Sequence, residues 1–89
     1  MEDNTYNGWK NRQTWNVSLW INNEESLYNA ARNYVKEHKL NKRTGEPKKN
    51  IYISFIKHNG MENDRTPDNI GYMSTRLDYK ALNEMMMEL

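Results

Sequence analysis

From Glu24 to His38, apolar side chains recur as Leu27, Ala31, Tyr34 and Val35, while Asn29, Arg32, Asn33 and Lys36 hold the other side. That period predicts an amphipathic helix. Asn23 offers a capping side chain, Glu24 and Glu25 suit the positive end of the helix dipole, and Lys36, His38 and Lys39 suit the negative end. Just upstream the pattern has two readings. Trp15, Val17, Leu19 and Ile21 alternate as a strand would, yet the same residues pair at i, i+4, with Trp20 filling the stripe. Thr14 as a cap and Asn22-Asn23 as a break favour a short helix.

Downstream, Ile51 to Lys57 is rich in β-branched and aromatic residues and ends at His58-Asn59-Gly60, which predicts a strand. Ile51, Ile53 and Phe55 then share one face, leaving Tyr52, Ser54 and Ile56 on the other. Residues 61–69 read as a polar loop around Pro67-Asp68-Asn69, and Ile70 to Met73 as a short second strand pairing with the first. Thr75-Arg76-Leu77-Asp78 is a variant of the capping-box spacing, followed by Leu77, Ala81, Leu82, Met85, Met86 and Leu89 at helical intervals. The expected fold is therefore a small α+β domain spanning 1–89, ordered helix, helix, strand, short strand, helix, with the helices on one face of a minimal sheet.

Composition qualifies this picture. Leu, Ile, Val and Phe total only 14 of 89 residues, but the formal net charge is +1, and three Trp, six Tyr and six Met supply apolar area. A folded domain built on aromatics and methionine is expected. No cysteine is present and the histidines are only His38 and His58, so neither a disulfide framework nor a complete Cys/His zinc site is available, and no metal or cofactor is expected. No apolar run approaches the roughly 20 residues of a membrane span, and the chain opens with Met1-Glu2-Asp3 rather than a secretory signal, so a cytoplasmic protein is expected.

Charge is sorted along the chain. Residues 1–29 sum to −2, residues 30–60 to +6 and residues 61–89 to −3. Arg32, Lys36, Lys39, Lys42, Arg43, Lys48 and Lys49 dominate the middle third, joined by Lys57. Repeated Lys and Arg meet a phosphate backbone by releasing its counterions, so this run reads as a nucleic-acid footprint or as a solvated loop. Single strands are also held by bases stacking on exposed rings beside such a groove. Tyr52, flanked by Lys48, Lys49, Lys57 and His58, fits that pairing as a base-stacking residue, with burial beneath the helices as the competing reading. Ile51-Tyr52-Ile53 is similar to the start of the second short motif of RNA-recognition domains, although Ser54-Phe55 departs from it and the longer first motif is absent.

The remaining clusters read as structural or ambiguous. Trp9, Trp15 and Trp20 are expected in the core, Trp9 being the one placed either to staple the first helix or to stay exposed. Met85-Met86-Met87 spans too wide an arc of a helix for all three to face one core, so either a frayed end or a docking helix for a partner or a second copy is expected. No P-loop, dinucleotide fingerprint, calcium loop or glycine-flanked serine nucleophile occurs, and no catalytic residue is assigned; a non-enzyme is expected.

The stretch Gly8 to Asn22, G-W-K-N-R-Q-T-W-N-V-S-L-W-I-N, followed by Glu24, Glu25, Leu27 and Tyr28, resembles a functionally unassigned family of small tailed-bacteriophage proteins with a G-W-x-N-x-x-T-W-N-V-x-L-W-I-x-N opening. Arg12-Gln13 replaces an aromatic-acidic pair more common there. The resemblance implies an accessory phage product acting in a bacterial host, and transfers no residue role. Together these readings lead to an RNA-binding protein, with single-stranded RNA favoured and single-stranded DNA an alternative target, that modulates host or phage gene expression. Lys36, Lys39, Lys42, Arg43, Lys48, Lys49 and Lys57 would contact phosphates and Tyr52 would stack. The rival expectation is an inhibitor or adaptor docking on a host protein through the acidic, Met-rich C-terminal helix.

Overall fold

The computed structural model describes residues 8–40, 43–45 and 49–89. Four helices appear among them: α1 (Arg12–Asn23), α2 (Glu25–His38), α3 (Ile51–His58) and α4 (Tyr79–Met87). Helix α1 packs on α2 and α3 on α4, while α2 also meets α3 and α4, and α1 reaches α4. The expected α+β fold is thus corrected to an all-α one: no strand forms among the described residues, where β-type pairing is confined to isolated bridges such as the antiparallel one between Arg65 and Gly71.

The segment expected as the main strand is α3. Ile51, Tyr52, Phe55 and Ile56 are all buried. As a strand they would divide between two faces, whereas i, i+1, i+4, i+5 forms a single helical stripe that one core can cover. Its N-terminus has no local cap, since Asn50 makes no side-chain capping bond; instead the Tyr52 N–H donates to Asn83 Oδ1 of α4 at 2.9 Å. His58-Asn59-Gly60 ends a helix rather than a strand. Gly60 adopts φ +66°, the Met61 N–H donates to the Ile56 carbonyl and the Gly60 N–H to the Lys57 carbonyl, closing a Schellman turn.

The second expected strand, Ile70 to Met73, belongs to an irregular connection pinned at several points. A turn runs from Thr66 to Ile70, with the Thr66 N–H donating to the Ile70 carbonyl at 2.8 Å and Asn69 in the left-handed region at φ 69°. Tyr72 and Leu77 anchor the connection in the core, and the buried Tyr52 hydroxyl donates to the Tyr72 carbonyl at 2.6 Å.

The other three helices lie where periodicity puts them, but each uses a different cap from the one expected. Asn11 caps α1 in place of Thr14, Glu24 caps α2 in place of Asn23, and Asp78 caps α4 in place of Thr75. The first and last are joined. Asn11 Oδ1 accepts from both the Thr14 N–H and the Thr14 hydroxyl, Asn11 Nδ2 donates to the Arg76 carbonyl, and Thr14 Oγ1 accepts the Asp78 N–H at 2.9 Å.

The core comprises Val17, Ile21, Ala31, Tyr34, Val35, Ile51, Tyr52, Phe55, Ile56, Tyr72, Leu77, Leu82 and Met86. Tyrosine, phenylalanine and aliphatics fill it; no tryptophan is fully buried, which corrects the expected tryptophan core. Among the described residues every buried side-chain nitrogen and oxygen has a hydrogen-bond partner.

Candidate nucleic-acid interface

Helical spacing sets the basic surface. Arg32 and Lys36 on α2 and Lys39 at its C-cap, still in helical conformation, stand at i, i+4 and i+7 and fall on one side of the helix. With Asn29, Asn33, Val35 and Leu89 they line a polar groove of about 350 Å³, into which no carboxylate side chain projects among the described residues. Amide and cationic donors thus alternate along a strip facing solvent. Arg43 and Lys49 are exposed on the connection from α2 to α3, and Lys57 is exposed in the last turn of α3. Lys42 and Lys48 lie outside the described residues.

Tyr52 is corrected outright as a base-stacking residue. It is 0 % exposed, its ring lies 5.9 Å from that of Tyr79, and burial pushes its hydroxyl well above the ordinary tyrosine range, with Tyr79 and Tyr72 adding to the shift. Of its flanking lysines, Lys49 is exposed ahead of α3 and Lys57 is exposed in its last turn, whereas Tyr52 faces the core.

Rings do meet elsewhere at the basic end. Tyr34 stacks on His38 with centroids 4.4 Å apart, and His58 approaches Tyr34 to 5.1 Å and His38 to 6.0 Å. The C-terminal turns of α2 and α3 therefore converge, placing both imidazoles, the partly exposed His38 and the exposed His58, together with Lys57. His38 also lies 3.8 Å from the Glu37 carboxylate. His38 stands about 100° around α2 from Lys39 and about 160° from Lys36, and neither imidazole lines the groove. Sequence reasoning noted both histidines but missed this pairing, for which spacing within one helix carries no signal.

The tryptophan-rich opening serves structure. Asn16, only 1 % exposed, accepts from the Thr66 hydroxyl at 2.6 Å and donates to Asp68 Oδ2 at 2.7 Å, while Trp20 Nε1 donates to the same Asp68 oxygen at 2.9 Å. These bonds hold the Asp68 carboxyl below the usual carboxylate range, Asn16 contributing most, then Trp20, with the Arg12 charge assisting. Trp9 packs against the core and borders a shallow depression with Ala81, Glu84, Met85 and Glu88.

The Met triplet divides as helical geometry requires. Met86 is fully buried, whereas Met85 and Met87 are partly buried against the core, and Met85 Sδ accepts from Asn22 Nδ2 at 3.2 Å. A second concavity, about 480 Å³, opens between α1, α2 and the 61–72 connection, with Trp20, Leu27, Met61, Pro67 and Tyr72 as its apolar lining and Glu24, Asp64 and Arg65 at its polar edge.

Among the described residues no group of three or more His, Asp or Glu side chains is arranged to hold a metal ion, and no helix is long and apolar enough to cross a membrane. No curated protein and no solved structure matches the chain. One family model does match, over residues 2–89, which is nearly the whole sequence and far more than the tryptophan-rich opening. The chain belongs to that family, DUF7249, a family of unknown function.

Proposed function

We propose that this protein binds single-stranded nucleic acid, RNA in preference to DNA, along the outer groove of α2, and that it thereby modulates host or phage gene expression. The observation that carries the reading is the Arg32–Lys36–Lys39 row, set with the Asn29 and Asn33 amides in a groove that no carboxylate side chain enters among the described residues. Cations at one-turn intervals suit successive phosphates, and the amides supply neutral donors for sugar and base edges. His38 and His58, outside that groove at the C-terminal ends of α2 and α3, are the rings left to meet a base once Tyr52 is interior.

The rival reading, docking through a Met-rich helix, loses surface because Met86 is in the core and Met85 and Met87 lean on it. In a gel shift with a single-stranded RNA probe, Lys36→Glu combined with Lys39→Glu is expected to weaken binding at least tenfold with an unchanged circular dichroism spectrum. Wild-type affinity should fall with salt along a log–log slope of about −2, the value for some three phosphate contacts on a single strand. A charge-reversed protein that binds RNA as well as wild type refutes the proposal; equal affinity for single-stranded DNA and RNA removes the preference for RNA.

A further inference from the structure

We infer that the cleft between α1, α2 and the 61–72 connection docks a short segment of a partner protein in which a large apolar side chain sits beside lysine or arginine. The cleft is separate from the α2 groove and opposite in polarity. Its apolar lining is Trp20, Leu27, Ala30, Met61, Pro67 and Tyr72. Trp20 is unusual among these. It lies outside the set of partly buried apolar side chains packed on the core, and its indole N–H is fixed on Asp68, which is itself fixed by the buried Asn16. A large ring held at the wall of an open cleft loses little freedom when covered, and tryptophan in such a setting commonly dominates interface energies.

The mouth selects the sign of the occupant. Glu24 and Asp64 both line it, and both stand close enough to Tyr72 for their charge, added to the larger effect of burial, to raise its hydroxyl above the ordinary tyrosine range. Glu24 also accepts the Ser26 and Leu27 N–H groups, which keeps its carboxylate oriented at the start of α2. Arg65, the one cation on the rim among the described residues, donates to the Asn69 carbonyl at 3.5 Å. Two carboxylates against one guanidinium repel a phosphate-bearing ligand and favour a cationic one. A volume near 480 Å³ admits a single large side chain with its neighbours rather than a whole helix.

The probe is a blocked synthetic peptide with tryptophan between two lysines, titrated into isotope-labelled full-length protein. Saturable shifts are expected at the Trp20 indole N–H and the Leu27 and Met61 methyls. The same peptide with glutamate for lysine should bind at least tenfold more weakly. Asp64→Asn should weaken the lysine peptide several-fold, and Ala30→Trp, which fills the cleft, should abolish binding. Lys36→Glu with Lys39→Glu, which tests the nucleic-acid groove, should leave peptide binding intact, so the two proposals fail separately. Four results overturn the inference: equal response to both peptides, an undiminished response in Asp64→Asn, equal binding of free indole, or movement of the same signals with protein concentration alone. The last two would assign the cleft to a small molecule or to a second copy of the chain.

Discussion

Asn16 uses both ends of its side-chain amide inside the protein, accepting from Thr66 and donating to Asp68. Removing it strands a buried hydroxyl and frees the carboxylate that positions Trp20. Asn16→Ala is expected to lower the free energy of unfolding by about 1–3 kcal/mol, the usual range when a buried hydrogen-bonding group loses its partner, as read from urea denaturation. The Trp20 indole signal should shift in the same variant even well below the unfolding midpoint. This residue shows the limit of pattern reading at the smallest scale. Asn16 interrupts an apolar stripe and looks like a polar face residue, because its partners Thr66 and Asp68 are some fifty positions away. Tyr52 failed in the opposite direction, a ring between lysines that is wholly interior.

At the scale of elements, a helix was legible where its signals were local. Leu27, Ala31, Tyr34 and Val35 repeat within α2, and the observed boundaries fall within a residue of those expected from spacing. α3 was not legible for two physical reasons. Its eight residues are rich in β-branched and aromatic side chains, which favour strands in isolation, and its start is capped from another helix. Packing on the core overrides the first, and only the tertiary fold supplies the second. The consequence is measurable: Asn83→Ala should destabilise the protein by about 0.5–2 kcal/mol, as loss of a cap does. Asn50→Ala, at the nominal cap position of α3, should stay within about 0.5 kcal/mol of wild type, as surface substitutions commonly do. Equal effects in thermal melts would deny Asn83 its role. The tryptophans teach a related lesson, since Asn11, Thr14, Asn16 and Trp20 of the opening stretch all bond to the 66–78 connection.

For the molecule as a whole, the linear sum of charges locates an excess of cations in residues 30–60 but does not say which faces carry them. Arg32, Lys36 and Lys39 form a row because α2 turns them together, whereas Lys57 belongs to another helix and Tyr52 to the interior. The acid-lined cleft had no sequence counterpart, being assembled from α1, α2 and a connection that follows α3. The joined caps of α1 and α4 carry a further consequence for how the protein opens. Asn11 and Thr14 hold the Arg76 carbonyl and the Asp78 N–H, so the first turn of one helix cannot fray without releasing the entry to the other. Deuterium uptake at the first turns of α1 and α4 should therefore proceed at matched rates, and Thr14→Val should accelerate both by a similar factor. Two segments more than sixty positions apart would then breathe as one latch, and a proteolytic nick near either would loosen the far one as well.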